Sequence, residues 1–392
     1  MDPFTHSLVG LTAAKAGLGR LSPLATTVCV VAANASDSDV IVGLTTDRWN
    51  YLHHHRGITH SIVGALALAV LLPSIVYGAE RLIASMRRRP PRIRYRGLLL
   101  ASLIATATHP LMDWTNNYGV RPFLPWSGQW FYGDLVFIVD PYIILILGGA
   151  AFLATSDRWP KIIPWLLVAG AFIVLSFLVG SRPDPNQVRV SMLRMVLLAG
   201  FLVFVAVRVF SLSRGHERRI VQIALAGVVL YWSGLGVAHR VAYSAAISTS
   251  NRVASGMNER FDRVAAMPML GTPFRWSCVA ETDKAVYRFV VNTAPLSFAP
   301  DPTIVDGYQT HAPSGIERYE KPSQREADLV ALASKDRRAQ ILLGFARFPI
   351  ARVDDESCIS RTLVQFADLR YTEPGTARGT FSVNVPVECP TR

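Results

Sequence analysis

Charged residues are scarce in this sequence: Asp, Glu, Lys and Arg make up 17% of 392 residues, against about a quarter in an ordinary soluble domain. Hydrophobic residues reach 51%, and the deficit of charge is concentrated in long apolar runs. That pattern excludes a purely soluble chain and predicts a membrane protein. Cysteine is nearly absent. Cys29 lies in an apolar stretch, Cys278, Cys358 and Cys389 lie in the tail, and no CxxC spacing occurs. A thiolate zinc module and a dense disulfide framework are both excluded, although an exported tail allows one bridge. A basic start is missing too. Met1–His6 carries Asp2 and no Lys or Arg, so a cleavable signal peptide is not expected. No nucleic-acid recognition module accompanies the net charge of +12, and nucleic acid is not expected as a partner.

The charge that is present orients the chain. Apolar runs long enough to span, about 20 residues each, fall near Ile58–Gly78, Gly97–Asp113, Leu135–Thr155, Trp159–Gly180, Val190–Leu212 and Ile220–Ala238. Arg87, Arg88, Arg89, Arg92, Arg94 and Arg96 crowd the first connection, Arg158 and Lys161 the third, and Arg214, Arg218 and Arg219 the fifth. The second and fourth carry only Arg121, Arg182 and Arg189. Lys and Arg accumulate in loops that stay cytoplasmic, so the odd connections are expected inside, and the even ones and the tail outside. Ahead of these runs, Phe4–Leu18 and Pro23–Ala35 would each reach only ~20 Å as helices. They are expected to form a hairpin that dips into the bilayer, the alternative being a true span over Leu24–Leu44.

From Ser250 the composition changes. Short runs with strand-like alternation (Ala285–Val291, Ile341–Phe348, Thr362–Phe366 and Gly379–Val385) predict a soluble α+β, mostly β, domain. Glu326–Ser334 is expected as a helix and Asn251–Met267 as an amphipathic connector. The expected organisation is a membrane domain over 1–155, three further transmembrane helices over 156–240, and a soluble domain over 250–392.

Histidine supplies the chemistry. Six of nine lie at or before His109, in the segments MDPFTH, HHHRGITHS and HPLMD, with the acidic DSD between the first two. An ionisable group at membrane depth is costly and marks a functional site. The first span runs inward and the second returns, which delivers His55, His60, His109 and Asp113 to one end. The hairpin adds His6, Asp37 and Asp39 there. Pro110 is expected to disturb the helix between His109 and Asp113. Imidazole and carboxylate donors without thiolate suit zinc, manganese or iron, and the number of donors allows more than one ion. Asp39 or Asp113 is then available to take a proton from water, and Arg56 to neutralise charge developing on a phosphoryl or carbonyl oxygen. Asp2, Asp134 and Asp140 are candidates for outer support. Each residue also has an ordinary reading: His53 and His54 as loop residues, Asp37 as a helix cap, and His216, His239 and His311 as satisfied side chains. The aromatic cluster Trp114, Tyr118, Phe123, Trp126, Trp130, Phe131 and Tyr132 reads either as an interfacial belt or as a rim that admits lipid.

These same segments, with HRGITHS followed by HPLMDWTNNYG, resemble the bacterial inner-membrane, YdjM-like metal-dependent hydrolases over about residues 1–150. More remotely they are similar to the zinc-dependent phospholipase C and P1-type nuclease group. The resemblance implies metal ligation by His6, Asp37, His55, His60, His109 and Asp113, an all-helical core and phosphodiester substrates. Family members often carry Pro-Asp-x-Asp at the acidic motif, where this chain has Ser36. The expectation is therefore a multi-pass inner-membrane hydrolase with a periplasmic tail and a divalent metal, zinc foremost. Its partners are membrane lipids, and its substrate is a phosphoester or lipid-linked molecule. The alternative is a non-catalytic scaffold or sensor with a structural metal.

Overall fold

The computed structural model describes residues 1–179, 187–293, 315–354, 360–375 and 381–389; Arg182, His311 and Cys358 lie outside them. The chain divides into two compact units. One comprises Met1–Asp39, Arg56–Val237 and Pro268–Pro273, and the other Val40–His55, Ala238–Met267 and Phe274–Arg392.

The first unit is helical. Its helices are α1 (Pro3–Ala16), α2 (Ala25–Ala33), α5 (Ile62–Met86), α6 (Tyr95–Trp114), α7 (Pro141–Thr155), α8 (Trp159–Val179), α9 (Gln187–Val209) and the first half of α10 (Glu217–Gly256). Helix α1 packs on α2 through Gly10, where an added Cβ would stand 2.6 Å from the Cys29 carbonyl oxygen. On its other side Leu8 and Val9 join Ile143 and Leu147 of α7 in a buried core. The basic links gather at one end of this unit. The Arg94 amide donates to Ser22 Oγ, the Arg218 guanidinium to the Ala16 carbonyl, and the Arg208 guanidinium to the Ser156 carbonyl. The beginnings of α1, α5 and α7 and the end of α6 consequently lie at the other end.

Two helices among the described residues are long and apolar enough to cross a membrane, Ile62–Met86 and Glu217–Gly256. A third span arises if the bent pair Ala25–Ala33 and Ala35–Thr45 acts as one. Capping explains why the helices depart from the hydropathy runs. The Ser61 side chain accepts from the Gly64 amide and starts α5 there, leaving Ile58–His60 as a separate 3₁₀ turn. Asp140 caps the amides of Tyr142 and Ile143, so α7 begins at Pro141 and is only 15 residues long. At 1.5 Å per residue that is ~22 Å, shorter than the ~30 Å hydrocarbon core. Helix α6 continues through Pro110 to Trp114, so His109 and Asp113 stay on one face.

The second unit contains α3 (Val40–Thr45) and α4 (Arg48–His54), the remainder of α10, and a sheet-rich region. Strands β1 (Phe261–Met269), β2 (Thr272–Thr282), β3 (Ala285–Asn292) and β4 (Glu317–Glu320) form one sheet in that order. Strands β5 (Pro349–Val353), β6 (Arg361–Asp368) and β7 (Ser382–Glu388) form a second, with α11 (Gln324–Ala333) and α12 (Arg337–Phe345) preceding it. The antiparallel register pairs Cys278 with Phe289 and Ala280 with Tyr287. Alternate residues thereby bury one face of the first sheet against Ala242, Ala246 and Val253 of α10, as the two-residue period of a strand requires.

Two sequence expectations are corrected here. Ile341–Phe348 is not a strand, because Asp336 caps a helix and Ala339, Leu342 and Phe345 then bury one of its faces. Asn251–Met267 is not a connector, because α10 continues to Gly256 and β1 starts at Phe261. Cys389 is disulfide-bonded, while Cys29 and Cys278 are free.

Candidate metal centre

Local rules set each side chain in place. Asp2 caps α1 by accepting from the Thr5 amide at 2.9 Å, with Pro3 pre-set for the first helical position. That puts His6 on the first turn, where it is fully buried. Helix α2 ends at Ala33, and a 3₁₀ turn over Ala35–Asp39 follows, presenting Asp37 and Asp39. Arg56 takes a left-handed backbone (φ 51°) just before the turn that carries His60. Gly64 lets this turn fold onto α5, since a Cβ there would stand 1.8 Å from the Ile58 carbonyl oxygen. From α6, His109 and Asp113 face the same space.

Asp37, His60, His109 and Asp113 form one group that could hold a metal ion. His60 Nε2 lies 3.2 Å from His109 Nε2, 3.4 Å from Asp37 Oδ1 and 3.4 Å from Asp113 Oδ2. His109 Nε2 lies 3.3 Å from Asp37 Oδ1 and 3.6 Å from Asp113 Oδ2. Donors held 2.0–2.1 Å from a tetrahedral zinc ion are ~3.4 Å from one another, so these five separations have the dimensions of a single coordination shell.

A neighbouring carbonyl fixes the tautomer of His109. His109 Nδ1 lies 2.6 Å from the Ala33 carbonyl oxygen, which can only accept. Nδ1 therefore donates, and the lone pair of the neutral ring is on Nε2. His60 Nδ1 stands 3.5 Å from Asp39 Oδ2 and 3.1 Å from Thr59 Oγ1, on the side of the ring away from the group that its Nε2 faces. Asp39 Oδ2 also accepts the Arg56 amide at 2.8 Å. The Arg56 side chain is buried. Its Nε meets Asp113 Oδ2 at 3.1 Å, and its terminal nitrogen donates to the carbonyls of Asp113 and Gly119 and to Asn116 Oδ1. Its plane lies over the Tyr118 ring. Arg56 therefore braces Asp113 and the chain that follows it.

His6 adjoins the group. Its ring stacks on His109 with centroids 3.7 Å apart, and its Nε2 is 3.4 Å from Asp113 Oδ1, the oxygen that also meets the Met1 ammonium. Neither His6 nitrogen has a hydrogen bond among the described residues. A buried imidazole in that condition is costly unless something further engages it.

The remaining candidates are not members of that four-residue group. Asp2 acts as the α1 cap. Asp140 is the α7 cap and accepts the Tyr231 hydroxyl at 3.1 Å. Asp134 is buried with φ 53°, in a stretch tied by the Gly133 and Leu135 amides to the carbonyls of Trp114 and Thr115. His55 caps the end of α4 in the second unit and stacks on Tyr51 at 4.8 Å. Sequence reasoning did not single out Asn116, whose signal was its place just after the HPLMD segment. The Ala33 carbonyl has no sequence signal, because any residue carries one.

The comparisons agree with this geometry in extent. Residues 1–182 match the family described as YdjM inner membrane protein. A Bacillus subtilis (strain 168) relative, described as uncharacterized protein YfhP, is 29% identical over 155 residues. That match covers 37% of this chain and 43% of the relative, so this chain spans less than half of the relative's length. No solved structure matches. Every member of the four-residue group lies inside the region, residues 1–182, that is similar to the YdjM inner membrane protein family.

Proposed function

We propose that this protein is a multi-pass inner-membrane hydrolase whose divalent cation, zinc foremost, is held by Asp37, His60, His109 and Asp113. The observation that carries this reading is the set of five donor separations between 3.2 and 3.6 Å. A bound divalent cation supplies Lewis acidity and an activated water at neutral pH. The chain's own residues do the rest. Asp39 and the Ala33 carbonyl orient the two imidazoles, and Arg56 holds Asp113 in position. His6, beside the second oxygen of Asp113, is placed to help engage a further ion.

The substrate is a phosphoester or lipid-linked molecule reaching the end of the helices opposite the basic links. That end faces the periplasm if Lys and Arg mark the cytoplasmic side. The disulfide at Cys389 supports an oxidising compartment for the tail.

A second reading is favoured by one feature. Four protein donors close a tetrahedral shell, as in structural sites, which suits a scaffold or sensor.

Elemental analysis of the detergent-purified full chain tests both. Wild type is expected to hold about one ion or more per chain, and His60→Ala and Asp113→Ala less than ~10% of that. A folded His60→Ala protein that no longer cleaves a chromogenic phosphodiester supports hydrolysis. A His60→Ala protein that unfolds supports the structural metal. Wild type without metal would sink both.

A further inference from the structure

The two faces of α1 meet different surroundings. His6 and Gly10, four residues apart, face the metal group and α2, whereas Phe4 and Leu8 face α7. Behind the Phe4 face lies a cavity of about 120 Å³ between α1, α7, α8 and α9. Phe4, Ile144, Phe152, Trp165, Phe172 and Phe204 contribute to a lining that contains no ionisable side chain. The polar atom of Trp165 is already engaged, its Nε1 donating to Thr155 Oγ1 at 2.9 Å.

Two consecutive glycines shape the space. At Gly149 a Cβ would stand 2.2 Å from the Phe204 ring, so this glycine lets Phe204 close one wall. At Gly148 a Cβ would meet only Leu8, at 3.8 Å, so this glycine leaves the interior open. The space is open along part of its edge, and a lining without charge favours an apolar guest over water. In a helical membrane unit the apolar molecule in excess is the lipid tail.

The geometry points to a binding site for one acyl chain of a bilayer glycerophospholipid. Lodged there, the chain buttresses α1 from the side opposite His6. It fills the space that would otherwise leave Phe4, Phe152 and Phe172 without contacts on one side. Occupancy does not depend on the metal reading, because no ligand of the proposed cation lines the cavity.

The test uses the full chain in nanodiscs containing a phosphatidylcholine with a diazirine near the end of one acyl chain. Light-induced adducts are mapped by peptide mass spectrometry, with and without a chelator. Adducts are expected on the cavity-lining residues of α7–α9 at ~5-fold or more above the exposed α5 residues Leu66, Val70 and Ile75. Gly148→Phe, which fills the space, is expected to remove the excess while leaving the α5 adducts unchanged. If Gly148→Phe does not fold, Leu166→Trp narrows the cavity from α8 and is expected to act in the same direction. Cavity labelling no higher than on α5, or unchanged in a folded cavity-filling variant, would overturn the site. Chelator affects neither result if the site is as described, so failure of the metal reading would show separately, in the elemental analysis.

Discussion

The two units handle buried charge in opposite ways. In the second unit, Asp368 and Arg370 are both fully buried as side chains and pair at 2.7 Å. Asp368 also accepts the amides of Arg347 and Arg370, and Arg370 donates to the Phe345 carbonyl. Glu259 is likewise enclosed by Thr282, Tyr287 and Arg318 at 2.6–2.8 Å. These charges answer one another and hold a sheet-rich fold together. In the first unit Asp37, His60, His109 and Asp113 converge, the Arg56 guanidinium meets Asp113, and the adjoining His6 nitrogens have no hydrogen bond among the described residues. Buried charge that is satisfied internally is architecture. Buried donors pointed at a shared space constitute a site.

That contrast can be broken from either side. The largest effect is expected from Asp113→Asn, which removes the charge shared by three imidazoles and Arg56. Bound metal measured by mass spectrometry should fall ~100-fold or more, while the second unit keeps its resistance to proteolysis. Arg370→Ala should do the reverse. Leaving Asp368 buried and unpaired costs ~3–5 kcal/mol, read as earlier proteolysis of the second unit in denaturant, with metal content unchanged. A smaller effect is expected from Asp39→Asn, which keeps the shape but weakens the orienting contact on His60. Metal affinity by competition with a chelating dye should drop ~10–100-fold.

The smallest effect concerns pH. Burial alone would raise the Glu259 carboxyl, but hydrogen bonds from Thr282, Arg318 and Tyr287 outweigh it and hold it below the usual carboxylate range. A group whose folded value is depressed contributes stability that is present above its unfolded value of ~4.3 and is lost as pH falls through the folded value. Glu259→Gln should therefore flatten the acid limb of the second unit's proteolysis profile below about pH 4. An unchanged limb would mean that Glu259 contributes nothing to acid stability.

Part of this was legible without coordinates. His60, His109, Asp37 and Asp113 stood out because ionisable groups beside apolar runs are rare and costly. The helical first part and the sheet-rich tail followed from the change in hydrophobic period near Ser250. The role of Arg56 was not legible, since it depends on a left-handed backbone that turns the guanidinium toward residues 113–119. Helix lengths were misjudged where hydropathy runs continue past a cap, as at Ser61 and Asp140. The α12 segment was misjudged because a short apolar run fits a strand or a buried helix face equally well.

Composition and pattern determined by themselves that this chain has membrane-compatible helices, a basic side and an uncommon stock of histidine and aspartate in its first 113 residues. Those are one-dimensional properties, set by transfer free energies that act residue by residue. Tertiary structure decided which donors meet, which way each imidazole presents its lone pair, and which aspartates cap helices instead. Those outcomes turn on ångström-scale separations between segments as far apart as residues 37 and 113, and a linear pattern does not encode them.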